Sequence, residues 1–252
     1  MKTIQFSGVC TALVTPFLNN EVNYPMMEQL LRRQIEAGIP ACVIAGTTGE
    51  SPVLSDEEKL ELFRRCKAYV GNAMQIIAGT GSNSTDHAVR LSREAENCGV
   101  DGLLVVCPYY NKATKEGLIR HYSAVANAVD IPVLMYNVPS RTGLDIPVDV
   151  YHALSRIPNI IGVKEAVTDV RKLIKIRQVC GAHFQIWCGN DDLAAAMLAL
   201  RLSPCTTVCT GMPKSFARLP SISAKSGFTE RFAIARSMAK NVACRMLISS
   251  IS

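Results

Sequence analysis

From Val9 to Cys188 short apolar runs alternate strictly with longer stretches of helical period. The strand-like runs are Val9–Val14, Ala41–Ala45, Gln75–Ala78, Gly102–Val106, Val133–Asn137, Ile160–Lys164 and Gln185–Cys188. The stretches between them open on physical signals. Ser55 before Asp56-Glu57-Glu58 caps a helix running to about Val70, with acid in its first turn. Ser84 opens a segment to Cys98, and Gly99 follows as its C-cap. Thr114 caps a helix from Lys115 to about Val129, and Pro147 and Thr168 begin the next two. Such alternation predicts a parallel sheet with helices outside it, either an open doubly wound sheet or a closed (β/α)8 barrel. No Gly-x-Gly-x-x-Gly follows the first strand, which argues against the nucleotide-binding sheet. Polar residues recur instead just after the strands: Thr15-Pro16, Gly46–Glu50, Gly79-Thr80-Gly81, Pro108–Tyr110, Asn137, Lys164-Glu165 and Gly189–Asp191. A barrel gathers all of those points on one rim. The expected fold is therefore an α/β (β/α)8 TIM barrel over residues 1–211, its eighth strand weakly marked near Thr206–Cys209.

The chain has 252 residues, 48% hydrophobic and 19% charged, enough apolar matter for a full core. Its formal net charge of +6 is unevenly spread. Residues 201–252 hold eight basic side chains and one acid, Glu230, which leaves 1–200 at −1. A general nucleic-acid-binding reading loses most of its support, because the net basicity belongs to the last fifth of the chain and not to the protein as a whole. No apolar run reaches the ~18 residues of a membrane span. The start, Met1–Phe6, lacks the apolar region and cleavage site of a secretory signal. The cysteines lie in apolar runs (Cys42, Cys107, Cys188) and helix-like ones (Cys66, Cys98). Cys205 and Cys209 have no second ligand pair to complete a zinc site. Reduced, buried thiols in a cytoplasmic protein are the expectation.

Several residues on the expected rim carry chemistry. Strand alternation in Ile160–Glu165 sets Ile161 and Val163 toward the helices and points Lys164 into the barrel, above Gly162, which leaves it room. Desolvation lowers such an amine's pKa below ~10.4 and makes it a nucleophile able to form a Schiff base. A strand-end lysine reaching out to solvent is the other reading. Thr47 and Thr48 in the loop Gly46–Ser51 offer hydroxyls and backbone amides to a small carboxylate, or simply form a helix-capping turn. Tyr136 shares a strand face with Leu134, so its phenol either reaches the rim and passes a proton or only packs. Arg141, in a stiff loop between Pro139 and Gly143, suits a two-pronged grip on a carboxylate, or lies on the surface.

At these residues the chain resembles the dihydrodipicolinate synthase (4-hydroxy-tetrahydrodipicolinate synthase) family, a branch of the pyruvate-dependent class I aldolases that includes N-acetylneuraminate lyase. The matching blocks are Gly8–Phe17, Ala45–Ser51, Ala78–Asn83, Cys107–Lys112, Tyr136–Gly143, Ile160–Ala166 and Gly189–Asp192, in the family's order. By this resemblance Lys164 is the Schiff-base lysine and Tyr136 the catalytic tyrosine. Thr48 and Tyr110 are its proton-relay partners, Tyr110 reaching across from a neighbouring subunit. Thr47 and Thr48 hold the pyruvate carboxylate, Arg141 that of the semialdehyde, and Gly189 and Thr206 complete the substrate site. The resemblance implies condensation of pyruvate with L-aspartate 4-semialdehyde on the diaminopimelate route to lysine. It implies no metal or organic cofactor, and a homo-oligomer, a dimer of dimers where the C-terminal region permits it. A related aldolase acting on a 2-keto-3-deoxy sugar acid is the alternative, as is an inactive remnant of the fold. Ser51, Asn83 and Tyr109 fit the family's lysine-regulatory pocket. Asp56, Lys59 and His87 depart from it, which predicts weak or absent inhibition by lysine.

After Leu200 the likeness stops. The family's glycine-rich turn and its Gly-Val-Ile-Ser-Val strand give way to Arg201-Leu202-Ser203-Pro204 and Cys205–Cys209, with Thr206 at the pyruvate-binding position. Residues 212–252 read as a divergent, basic, Ser-rich segment, expected of a shifted reading frame or truncated gene. A genuinely divergent terminus or a basic tail are the other readings. In either event the eighth strand and the C-terminal helices are expected to be atypical or incomplete.

Overall fold

The computed structural model describes residues 8–199 and 205–209, and the segment 212–252 expected to diverge lies outside them. Its strands are β1 (Gly8–Ala12), β2 (Phe17–Leu18), β3 (Glu21–Val22), β4 (Ala41–Ile44), β5 (Gln75–Gly79), β6 (Gly102–Val106), β7 (Val133–Asn137), β8 (Ile160–Glu165), β9 (Gln185–Cys188) and β10 (Cys205–Cys209). Eight of them run parallel and close into a barrel in the order β1-β10-β9-β8-β7-β6-β5-β4. The other two, β2 and β3, pair as a short hairpin after the first strand. The helices are α1 (Tyr24–Glu36), α2 (Asp56–Val70), α3 (Thr85–Asn97), α4 (Lys115–Ala126), α5 (Pro139–Thr142), α6 (Val148–Leu154), α7 (Val170–Cys180) and α8 (Ala194–Ala199). The weakly marked eighth strand does form: β10 lies between β1 and β9, with Thr206 opposite Val9 and Cys188. Among the described residues no helix is long and apolar enough to cross a membrane.

Local chemistry explains where the helices begin and end. Ser55 forms a reciprocal capping box with Glu58, each side chain bonding the other's backbone amide, a device worth about 1 kcal/mol. Helix α7 starts one residue later than expected, because Asp169 rather than Thr168 caps it and accepts from the Arg171 amide. Helix α4 stops at Ala126, short of Val129, where buried Asn159 donates to the Ala126 and Val129 carbonyls at 2.7 and 3.0 Å. Satisfying those end carbonyls from another loop replaces a further helical turn.

The core has two layers. Side chains such as Ile76, Val163, Phe63, Tyr122 and Tyr151 pack between strands and helices. A second cluster, drawn from strands and rim alone, fills the barrel with Val43, Ile77, Leu104, Leu134, Tyr136 and Trp187. Strand β8 corrects one expectation. Its register against β7 slips between Val133, opposite Ile160, and Leu134, opposite Gly162. The bulged Ile161 therefore packs on the barrel-filling cluster, while Val163 keeps the helix side. Gly162 answers a different need from room for Lys164. A Cβ there would lie 2.1 Å from the Gln185 carbonyl oxygen, so glycine is what lets β8 and β9 approach.

Candidate active site

A cavity of about 890 Å³ lies over the C-terminal ends of β4 to β7. Two glycines bring its walls together. A Cβ on Gly79 would stand 2.2 Å from the Ala45 carbonyl oxygen, and one on Gly81 2.3 Å from the Val106 nitrogen. The loops after three neighbouring strands thus meet backbone to backbone, and Ala45 accommodates this at φ 51°, a left-handed value uncommon for alanine.

Four residues singled out in the sequence, Thr47, Tyr110, Tyr136 and Arg141, line this one cavity. Lys164 is buried at 8% exposure, and its Nζ lies 4.6 Å from the centroid of the Tyr136 ring. The two residues are direct partners across β7 and β8. The amine thus packs on the face of a ring that itself borders the cavity, a favourable place for a cation. Lys164 is directed inward, not outward to solvent. Arg141 is exposed on the short α5, which Gly143 closes in a left-handed conformation at φ 68°. Tyr110 also sits in a left-handed conformation, φ 71°, and stands 87% exposed at the cavity mouth.

The threonine loop is a pair of turns. Gly49 and Ser51 donate their amides to the Gly46 carbonyl and Glu50 donates to that of Thr47, so these three amides serve the loop itself. Buried Thr15, from the end of β1, fastens it by donating to the Gly49 carbonyl at 2.7 Å. The residue pattern assigns Thr15 no role of its own, although its place just after a strand is the signal for one. Thr48 is half-buried in this loop and, like Gly189, lies outside the cavity lining. Gly189 follows β9, its amide donating to the Glu165 carbonyl at 2.8 Å. Thr206 is described by its backbone on β10.

Ser51, Asp56, Lys59, Asn83, His87 and Tyr109 line the same cavity. His87 Nε2 lies 2.9 Å from both Asp56 oxygens and Arg90 donates at 3.0 Å. Burial raises the Asp56 carboxyl, but the His87 hydrogen bond and the neighbouring positive charges outweigh it and hold the group below its ordinary value. Burial also pulls the Lys59 ammonium down, with Asp56 and Glu58 offsetting part of the effect. The one acid in the lining, among the described residues, is therefore already engaged by cations. Among the described residues no group of three His, Cys, Asp or Glu side chains is arranged to hold a metal ion.

A closed barrel whose strand ends present a buried amine beside a phenol places the chain among (β/α)8 proteins that work at the C-terminal rim. Within that class the chain belongs to the Dihydrodipicolinate synthetase family, whose profile matches residues 5–213. It is 44% identical over 192 residues to a 4-hydroxy-tetrahydrodipicolinate synthase of Kosmotoga olearia, a stretch covering 75% of this chain and 65% of that protein. The chain thus spans just under two thirds of that relative's length. Its fold is similar to the crystal structure of dihydrodipicolinate synthase from Aquifex aeolicus, with a TM-score of 0.88 and 33% identity over 98% of this chain and 84% of that one. It is also similar to the chloride-inhibited dihydrodipicolinate synthase from Acinetobacter baumannii complexed with pyruvate (TM-score 0.85, 34% identity, 91% and 80% covered).

Proposed function

We propose that the chain condenses pyruvate with L-aspartate 4-semialdehyde through a Schiff base, giving 4-hydroxy-tetrahydrodipicolinate on the diaminopimelate route to lysine. The observation that carries this reading is the Lys164 amine, buried and 4.6 Å from the Tyr136 ring on the paired strand. The neutral amine adds to the ketone carbon of pyruvate, and loss of water leaves the imine. Loss of a methyl proton turns the imine into an enamine, whose carbon attacks the aldehyde. The aldehyde oxygen takes up a proton, and the substrate's own amine then displaces Lys164 as the ring closes. Tyr136 moves these protons, with Thr48 and Tyr110 as its relay. Thr47 and Thr48 hold the pyruvate carboxylate, Arg141 grips that of the semialdehyde, and Gly189 and Thr206 shape the floor of the pyruvate site. The imine is itself the electron sink, so the scheme calls on no added cofactor.

The exposure of Tyr110 supports a homo-oligomer in which this tyrosine serves a neighbouring copy's site. Buried thiols at Cys42, Cys66, Cys107 and Cys180 support a reducing, cytoplasmic setting. Borohydride reduction in the presence of pyruvate, followed by intact and peptide mass, tests the chemistry. A reduced pyruvate adduct on Lys164 is expected, and the absence of any adduct overturns the reading in favour of an inactive remnant. Turnover of aspartate semialdehyde by protein that does trap pyruvate then separates the synthase from a sugar-acid aldolase.

A further inference from the structure

Asn137 and Glu165 stand one residue beyond Tyr136 and Lys164, at the ends of β7 and β8, and are themselves partners across the sheet. Alternation turns them away from the barrel interior, to the side opposite the amine and the phenol. Both are sealed there, at 0% and 1% exposure. A carboxylate so placed is costly unless its oxygens are satisfied, and these are. Asn137 Nδ2 donates to Glu165 Oε1 at 2.5 Å, and the Tyr151 hydroxyl of α6 donates to Oε2 at 2.8 Å. The Lys172 ammonium of α7 stands 3.6 Å from Oε2 and also pairs with Asp145. Asn137 is used as fully: Nδ2 also donates to Asp145 at 2.8 Å, and its Oδ1 accepts from the Ile146 amide at 3.2 Å. The main chain adds two ties, from Ala166 N to the Asn137 carbonyl at 2.9 Å and from Gly189 N to the Glu165 carbonyl at 2.8 Å. None of these side chains borders the cavity, and their polar atoms are spent on one another instead.

We propose that Asn137 and Glu165 are positioning residues for the Lys164–Tyr136 pair, locking the helix side of two strand ends so that amine and phenol keep their separation on the other side. The inference rests on the amine chemistry proposed for Lys164. Strand ends at a rim carry few ladder bonds of their own, and a misplacement of about 1 Å costs on the order of a hundredfold in rate. The network binds β7, β8, the loop after α5, α6 and α7 to one another at the one level of the barrel where that separation matters.

The test compares Glu165→Gln with Glu165→Leu in the full chain. Glutamine keeps the shape of the network and most of its bonds: its oxygen accepts from Asn137, its nitrogen donates to the Tyr151 oxygen, and Lys172 keeps Asp145. Leucine fills the space and makes none of these bonds. Glu165→Leu is expected to lower the rate of borohydride trapping by about tenfold with the KM for pyruvate changed less than about threefold, and Glu165→Gln to recover most of that rate. A second readout needs no turnover: trace reductive methylation with formaldehyde, read by peptide mass, is expected to label Lys164 faster in Glu165→Leu and to leave Lys59 unchanged. Tyr151→Phe, which removes one hydrogen bond and keeps the ring, is expected to slow trapping about threefold and serves if Glu165→Leu does not fold. Wild-type trapping and labelling in the folded variants overturn the inference, as does a Glu165→Gln variant as slow as Glu165→Leu. If the wild type traps no pyruvate, the proposed chemistry falls, and the methylation pattern still decides whether the network positions the lysine.

Discussion

Lys164 and Tyr136 meet through a ring face, with the ammonium 4.6 Å from the ring centroid, so the ring and the hydroxyl of the tyrosine do separable work. The ring supports the amine, and the hydroxyl carries protons in the proposed scheme. Tyr136→Phe keeps the first and removes the second. It is expected to form the reduced pyruvate adduct on Lys164 much as the wild type does, while kcat for condensation falls about a hundredfold, the scale of a lost acid–base group. Rapid-quench trapping beside steady-state turnover checks both halves. An adduct lost together with turnover would mean that the hydroxyl serves imine formation itself. The carboxylate grips contrast with this pair. Arg141 is exposed, and Thr47 borders the cavity in a loop where the amides of Gly49, Glu50 and Ser51 are donated to carbonyls of the loop itself.

Single elements explain what can be read from the residues and what cannot. The seven strands expected from the apolar runs all form within two residues of their expected ends, because each is a continuous apolar run buried on both faces. Lys164 and Tyr136 are legible as inward-facing because alternation is a local rule. Ile161 is not, because its direction depends on a register slip against β7 that only the paired strand can impose. The purpose of Gly162 is hidden for the same reason, since its constraint is a carbonyl of Gln185 on the next strand. The Asn137–Glu165 network is equally out of reach: its partners Asp145, Tyr151 and Lys172 are separated along the chain and meet only when β7, α6 and α7 pack. Gly162→Ala tests the close approach. Its Cβ, 2.1 Å from the Gln185 oxygen, forces β8 and β9 apart, and a loss of about 3 kcal/mol is expected on denaturant unfolding. Lys164 lies two residues on, so trapping by the folded fraction should slow as well. Unchanged stability would show that the two strands can separate at no cost.

At the scale of the barrel, two buried groups among the described residues bias stability with pH, and they act in opposite directions. His121, sealed on α4 at 3% exposure, bonds Thr85 through Nδ1 at 2.9 Å and packs its ring on Tyr122. Burial lowers its pKa from 6.5 to about 4. The unfolded chain takes up that proton first, so the His121 contribution is complete above pH 6.5 and is lost as pH falls through about 4. Glu165 behaves in the reverse sense. Burial pushes its carboxyl from 4.5 up to about 7, against the pull of Lys172, Asn137 and Tyr151 and with a further push from Asp145. Its folded form holds the proton longer, so its contribution is complete below pH 4.5 and is lost as pH rises through about 7. Each shift corresponds to about 3 kcal/mol at about 1.4 kcal/mol per pKa unit. Between pH 4.5 and 6.5 the two slopes oppose one another, and the two contributions largely cancel. Replacing one group at a time exposes the other. The stability gap between wild type and His121→Gln is expected to narrow by about 3 kcal/mol as pH falls from 6.5 to 4. The gap to Glu165→Gln is expected to narrow by a similar amount as pH rises from 4.5 to 7. Urea unfolding at half-unit pH steps measures both, and gaps that stay constant with pH would show that neither group changes its proton affinity on folding.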